Sequence, residues 1–336
     1  MGRRKKLAAG PIAALLLMLA LIVIYALIQP PASGIQSPEN QNPEPANRTQ
    51  NPEPATNQSP SGTGDNETQT TGPETQNATL TIATFNIQVF GESKRSKPGV
   101  MDVLTTIARR YDFMAIQEIR DSSETTLPIY LEQINALPGP DYEAISSPRL
   151  GRTSSKENYA FIYDPEVLSL IPGTDYTFQD PPEGASTDLF QREPFIARFE
   201  KIDGSFDFVI ITIHTDPDET PQELSDLPLV LQDAMERFPD EDDFIMLGDM
   251  NADCSYLSQS YPLELRNSSF TWVVPDDADT TVKSTDCAYD RIIFTRATDD
   301  DFTGEWGIFR FDEEYGLNES QAEEVSDHYP VWARFG

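Results

Sequence analysis

The chain has 336 residues, and its 56 Asp and Glu against 24 Lys and Arg give a formal net charge of -32. Such a field repels polyanions at ordinary salt. It excludes a protein that grips nucleic acid or an anionic membrane through a broad basic surface, unless salt and divalent cations screen the repulsion. An aspartate-rich, lysine-poor surface is the composition expected of a salt-adapted organism.

Arg3, Arg4, Lys5 and Lys6 precede an almost unbroken apolar run of 22 residues, Leu7 to Ile28. The run is longer than a signal-peptide core and long enough to cross a bilayer. The basic cluster before it predicts a cytoplasmic segment 1–6, a single-pass anchor 7–28 and an extracytoplasmic remainder. Pro31-Ala32-Ser33 is the nearest cleavage candidate, and cleavage there would release the rest as a secreted protein. Residues 29–78 are rich in Pro, Asn, Gln, Glu, Ser and Thr, and carry Gln-Asn-Pro-Glu-Pro-Ala twice, at 41–46 and 50–55. They predict a disordered stalk, with glycosylation sequons at Asn47, Asn57, Asn66 and Asn77.

The globular pattern runs from 79 to 336. Five of the 24 basic and six of the 56 acidic residues precede it, which leaves 19 against 50 and a net of -31. Its lysines are Lys94, Lys97, Lys156, Lys201 and Lys283. In chain order, alternation predicts a strand over Leu80–Ile87 and helical spacing a helix over Pro98–Tyr111. A buried strand follows at Phe113–Ile119, a helix at 126–137, and strands at 142–147, 158–163, Phe195–Glu200 and Asp207–His214. Pro221–Phe238 reads as a helix with a kink at Pro228. Strands follow at Phe244–Leu247, Phe270–Val274, Ala288–Thr295 and Tyr329–Phe335. This order predicts an α/β (α+β) domain with mixed sheets. Cys254 and Cys287 read either as a disulfide, which the predicted compartment permits, or as two separate buried thiols.

Polar residues sit where the apolar strands end: Asn86, Glu118, His214, Asp249 with Asn251, Asp290, and Asp327 with His328. Burying any of them uncompensated costs several kcal/mol, so their repeated placement predicts one shared site. Both histidines of the chain belong to the set. Carboxylates such as Glu118 suit Mg²⁺ or a similar hard cation, and two histidines with acid partners suit proton transfer. Phosphodiester hydrolysis is the chemistry that uses these parts.

The segments Thr84-Phe85-Asn86-Ile87, Ile116-Gln117-Glu118-Ile119-Arg120-Asp121, Leu150-Gly151-Arg152, Arg192-Glu193-Pro194, Gly248 to Tyr256, Cys287 to Ile292 and Ser326 to Val331 occur in that order. Together they closely resemble the deoxyribonuclease I-like branch of the endonuclease/exonuclease/phosphatase superfamily, over essentially all of 79–336. The resemblance implies a four-layered sandwich of two packed mixed β-sheets flanked by helices, with the site at one edge. It implies acid–base pairs His328–Asp290 and His214–Glu157, and a catalytic Mg²⁺ or Mn²⁺ on Glu118 and Asp327 with Asn86 nearby. Asp249 and Asn251 would orient the scissile phosphate and the attacking water. Arg120, Arg152, Arg192 and Tyr256 match nucleic-acid contacts, of which Arg120 enters the minor groove, where base edges are nearly degenerate. Weakly sequence-selective cutting of DNA follows.

Structural Ca²⁺ is implied at Asp180 and Asp188 and at Asp279, Thr281 and Thr285. Cys254 and Cys287 match a long-range disulfide of the family. The chain departs from the pattern at Lys283, where the family has a threonine, at Ser155, where it has a tyrosine that stacks in the groove, and at 182–186, which lacks a second disulfide. No obligate protein partner is predicted. The alternatives are a phosphoesterase of the same superfamily acting on a lipid headgroup or small phosphate ester, and a non-enzymatic surface protein.

Overall fold

The computed structural model describes residues 79–182 and 186–336. The segments 1–6, 7–28 and 29–78 lie outside the described residues, and among those described no helix is long and apolar enough to cross a membrane.

Thirteen strands and six α-helices follow one another among the described residues. The first part holds β1 (Leu80–Phe90), α1 (Glu92–Arg95), α2 (Pro98–Ala108), β2 (Phe113–Ile119), α3 (Thr126–Asn135), β3 (Glu143–Ser146) and β4 (Asn158–Tyr163). The middle holds β5 (Leu168–Leu170), β6 (Tyr176–Thr177), β7 (Phe195–Lys201), β8 (Asp207–His214), α4 (Thr220–Arg237) and β9 (Phe244–Asp249). The last part holds β10 (Phe270–Trp272), β11 (Asp290–Thr295), β12 (Phe302–Ile308), α5 (Phe311–Tyr315), α6 (Glu319–Val325) and β13 (Val331–Phe335).

The strands form two mixed sheets. One has the order β12-β13-β1-β2-β4-β3, the other β10-β11-β9-β8-β7-β5 with β6 also on β7. Each sheet has one parallel pair near its centre, β1 with β2 and β8 with β9, and every other pairing is antiparallel. A parallel pair needs a crossover; α1 and α2 supply it in the first sheet and α4 in the second.

Strand periodicity explains the layers, because successive side chains point to opposite faces. Leu80 and Ile82 of β1 meet Phe113 and Ala115 of β2, Phe208 and Ile210 of β8, and Ile245 and Leu247 of β9 in a core between the sheets. The alternate residues Ala83, Phe85, Met114 and Ile116 pack outward on Val100, Leu104, Ile107, Tyr130 and Ile134 of α2 and α3. Val209, Ile211, Ile213, Phe244 and Met246 pack outward on Leu224, Leu227, Val230 and Ala234 of α4. Helix, sheet, sheet and helix are the four layers.

The rows between the sheets change character along their length. β1 reads Ile82, Thr84, Asn86; β2 reads Ala115, Gln117; β8 reads Ile210, Thr212, His214; β9 reads Ile245, Leu247, Asp249. Gln117 Nε2 donates to Thr84 Oγ1 and Thr212 Oγ1, both at 2.9 Å, and so ties the sheets together where the apolar core ends. One step further, Asn86 Nδ2 donates to Asp249 Oδ2 at 2.8 Å. The polar site is therefore the continuation of the core, at the C-terminal ends of both parallel pairs.

Several boundaries differ from the sequence reading. Strands β5, β6 and β12 and helices α1, α5 and α6 are additional. β12 is largely exposed and shows no apolar alternation, and the three helices are too short for periodicity to reveal. β13 begins at Val331 and not Tyr329, since Pro330 has no N–H for the ladder. Helix α4 continues through Pro228. The Cys254–Cys287 disulfide is present, with a Cα–Cα distance of 5.9 Å.

Gly248 precedes Asp249 at φ 142°, and a Cβ there would lie 1.9 Å from the carbonyl oxygen of Ile213. The close approach of β8 to β9 at the site depends on that missing carbon. Gly248→Ala is expected to destabilise the domain by about 3 kcal/mol, read as a lower urea midpoint at unchanged slope.

Candidate active site

The site begins with backbone that sequence periodicity does not foresee. The β1–β2 pairing shifts register between Asn86 and Phe90, and the β2–β4 pairing shifts between Ile116 and Ile119. At these irregularities Val89 takes φ 48° and Glu118 φ 64°, and Asn251 in the loop after β9 takes φ 45°. Left-handed non-glycine residues cost on the order of 1–3 kcal/mol each and persist where their surroundings over-determine them. Here the left-handed turns aim polar groups. Val89 N donates to Glu118 Oε2 at 2.8 Å, and Asn251 N donates to Asp249 Oδ1 at 3.1 Å.

Asp249 is the buried centre. Its Oδ2 accepts from Asn86 and lies 3.5 Å from Nε2 of both His214 and His328. On the outer side of each ring stands another carboxylate: His214 Nδ1 is 2.7 Å from Glu157 Oε1, and His328 Nδ1 is 2.8 Å from Asp290 Oδ2. Glu157 and Asp290 are fully buried. Two imidazoles thus stand between a shared inner carboxylate and one outer carboxylate each, which fixes their orientation.

Burial works against the charged form of His328, yet Asp290, Asp249 and Asp327 outweigh it, and its pKa is pushed up to about 10. For His214 burial and the nearby Arg192 both oppose charge, while Glu157 and Asp249 favour it; the net direction is upward. Burial likewise opposes the charge of Asp249, but His328, His214, Asn86 and Asn251 hold its pKa below the usual carboxylate range. Burial raises Asp290 against the pull of His328. The proton of that pair rests on the imidazole, because His328 faces two further carboxylates. The cluster titrates as a unit.

Glu118, His214, Asp249, Asn251, Asp327 and His328 line one open cleft of about 380 Å³. One ligand atom from each of Asp249, Asp290 and His328 lies within 4.8 Å of the others, but those three are already matched to one another by the imidazole. Glu118 and Asp327 fit a hard cation better: their carboxylates reach the cleft, and Asn86 Oδ1 is buried with no hydrogen-bond partner. An orphaned buried carbonyl beside carboxylates is an oxygen-rich edge of the kind a hard divalent cation takes.

The expected nucleic-acid contacts divide. Tyr256 lines the cleft, with its ring centroid 5.4 Å from that of Tyr289. Arg120 folds down onto Glu118 at 3.2 Å and Glu157 at 3.4 Å. Arg192 is buried, with its guanidinium on the carbonyls of His214 and Thr215 and 3.3 Å from Glu157. It braces the end of β8 and does not face solvent. Arg152 pairs with Asp188 at 3.0 Å and Glu219 at 2.7 Å.

Of the residues expected to hold calcium, Asp180 accepts from the amides of Leu189 and Phe190, and Asp188 meets Arg152. In the second loop Thr281 donates to Asp279 and to the carbonyl of Thr285, and Arg310 donates to Asp279 at 2.9 Å.

Sequence reasoning gave no role to Gln88, Ser326 or Thr215. Gln88 Nε2 donates to Asp327 Oδ2 at 2.7 Å, and Ser326 Oγ donates to Asn86 O at 2.6 Å while accepting from Gln88 N. Asn251 Nδ2 donates to Thr215 O at 3.1 Å. Gln88 lies two residues beyond Asn86, and a polar residue continuing the inward row was the available signal.

The electrostatics predict an observable titration. In the metal-free protein the imidazole of His328 is expected to stay protonated well above its ordinary pKa of 6.5 and to titrate near 10, while Asp290→Asn returns it downward. The folded value lies above the unfolded one, so this pairing stabilises fully below pH 6.5, and the contribution is lost as pH rises through about 10. NMR of the two histidines measures it directly.

A model of the Endonuclease/Exonuclease/phosphatase family matches residues 83–328. Deoxyribonuclease-1 of Gallus gallus is 38% identical over 263 residues, covering 76% of this chain and 91% of the relative. Deoxyribonuclease gamma of Rattus norvegicus is 37% identical over 261 residues, covering 75% of this chain and 83% of the relative. An endonuclease/exonuclease/phosphatase family protein from Bacteroides thetaiotaomicron shares the fold with a TM-score of 0.52 at 17% identity, covering 77% and 95% of the two chains. The extent of the family match, together with these relatives, places the chain in the Endonuclease/Exonuclease/phosphatase family.

Proposed function

We propose that this protein hydrolyses DNA phosphodiester bonds as a divalent-metal-dependent endonuclease with little sequence specificity. The observation that carries the reading is the convergence of two histidine–carboxylate pairs on Asp249 in an open cleft. Relatives at 37–38% identity that are named deoxyribonucleases support DNA as the substrate. Arg120 is drawn down between Glu118 and Glu157, and Ser155 beside it offers no ring to stack on a base. Few side chains are left to read sequence, which agrees with indiscriminate cutting.

The proton chemistry follows from the asymmetry between the rings. His328 faces three carboxylates and keeps its proton, so its Nε2–H is the donor for the leaving oxygen. His214 has the positive charge of Arg192 beside it, which opposes the pull of Glu157 and Asp249 and makes it the readier of the two to give up its proton; in its neutral form its Nε2 is the acceptor for the proton of the attacking water. Asp249 lies 3.5 Å from both Nε2 atoms and orients that water together with Asn251. The water oxygen forms a bond to phosphorus as the bond to the leaving oxygen breaks; one proton moves to His214 and one leaves His328, so the charge in the cluster is conserved. Glu118 and Asp327, with Asn86 Oδ1, would hold the divalent cation, which would supply charge neutralisation at a phosphate oxygen.

The proposed setting is the outer face of a membrane, with the run 7–28 as anchor and 29–78 as stalk. Salt and divalent cations screen the acidic field there, and degrading DNA requires turnover more than tight binding. Ca²⁺ bound near Asp180 and Asp188, or near Asp279, Thr281 and Thr285, would add order to loops that Arg152 and Arg310 already brace.

Supercoiled plasmid incubated with the protein is expected to be nicked only when divalent cation is present, and a chelator abolishes the cutting. His214→Ala and His328→Ala are each expected to lower kcat by about 10²–10⁴ with folding intact. A folded protein that leaves plasmid whole at every salt and metal concentration, yet releases phosphate from a phospholipid headgroup or sugar phosphate, contradicts DNA as the substrate. Thermal stability that rises with molar salt is the expected companion result for a salt-adapted surface.

A further inference from the structure

Residues 79–336 contain five lysines, and three of them, Lys94, Lys97 and Lys283, line a single cleft of about 370 Å³ together with Gln88 and Ser93. In a domain with a net charge of -31 this clustering is the opposite of a uniform acidic surface. Lys283 also lines the catalytic cleft, so the two clefts meet at its side chain. Gln88 stands at the same boundary, donating to Asp327.

The two outer ammonium groups are available. Lys97 has a side chain 45% exposed and touches Glu324 at 3.7 Å; Lys283 is 50% exposed and touches Asp327 at 3.3 Å. Exposed pairs of this kind are weak and screened by salt, so a phosphate can displace either contact. Lys94 forms the floor, its Nζ donating to Val325 O at 2.6 Å. Glu323 and Glu324 line the same cleft, so the positive charge is confined to the three lysines.

Resting on the DNA reading above, we propose that Lys97 and Lys283 hold the strand phosphate one nucleotide away from the scissile phosphate. The subsite would then distinguish a polynucleotide from a small ester carrying one phosphate. It would also let an acidic enzyme hold its substrate locally while its overall field repels it. Lys283 lines both clefts, so a strand whose scissile phosphate lies against His214 and His328 would bring its neighbouring phosphate to the lysine cleft.

The test compares the parent protein with Lys97→Gln, the double variant Lys97→Gln/Lys283→Gln, and Glu324→Gln. Supercoiled plasmid and bis(4-nitrophenyl) phosphate serve as substrates. The double variant is expected to lose about tenfold in kcat/KM on plasmid, with the salt slope shallower by about 0.7–0.9 for each contact removed, and to lose distinctly less on the small diester. Glu324→Gln frees Lys97 and is expected to raise kcat/KM on plasmid about twofold. Equal losses on both substrates would show the lysines acting through Asp327 on the reaction centre, and would overturn the subsite; so would an unchanged salt slope. A parent protein that hydrolyses the diester and leaves plasmid intact overturns the DNA reading itself, and the subsite with it.

Discussion

The site rests on keeping one carboxylate charged in a place that disfavours charge. Asp249 lies at the inner end of β9, nearly inaccessible, where the apolar rows of two sheets run out. A lone buried carboxylate would take up a proton. Two imidazoles, one carboxamide and one backbone amide prevent that, and each is delivered by a different element: β8, the approach to β13, β1 and the loop after β9. Moving any of these strands by one residue would turn its polar group to the opposite face. The constraint on Asp249 therefore reaches through the register of both sheets.

The same requirement accounts for the irregular backbone. Regular strands would carry Glu118 and Val89 along the pleat and away from the cleft. The register shifts in β1 and β2 and the left-handed turns at Val89, Glu118 and Asn251 redirect them, and the tight pairing at Gly248 leaves the strands close enough to bring His214 to Asp249. The strain is concentrated where the chemistry is proposed and is sustained by three large apolar clusters on either side of the sheets. Two further tethers hold the loops: the disulfide between Cys254 and Cys287, which closes a long loop and contributes roughly 3–4 kcal/mol, and the buried Arg291, whose guanidinium bonds to the carbonyls of Ala252, Val274 and Pro275.

Much of this was legible in the sequence because it depends on period-two alternation and on where alternation stops. Phe113–Ile119, Asp207–His214 and the apolar part of β9 are visible as buried runs, and Asn86, Glu118, His214, Asp249, Asp290 and Asp327 with His328 are visible as their polar ends. What the sequence could not show are features set by long-range packing. β12 is an exposed edge strand with no pattern of its own, and it forms because β13 offers it a ladder. The inward folding of Arg120 and Arg192 is similar: a basic residue in a strand-end loop reads as a surface contact until Glu157 is placed beside it. Gln88 continues the inward polar row of β1, but its bond to Asp327 depends on the bulge and could not be read from that row.

The most direct measurement is the turnover of Asp249→Asn on plasmid DNA. The substitution keeps the size of the side chain and an Oδ1 that accepts from Asn251 N, and it removes the negative charge that faces Nε2 of both imidazoles. Removing one member of a buried charge cluster is destabilising, by about 3–5 kcal/mol when its partner stays charged, so turnover is compared at a temperature where both proteins are folded. If Asp249 is the shared anchor of both proton-transfer pairs, kcat falls by at least about 10³ in a protein that remains folded at the assay temperature. A well-folded Asp249→Asn protein that nicks DNA at the parent rate would contradict the account.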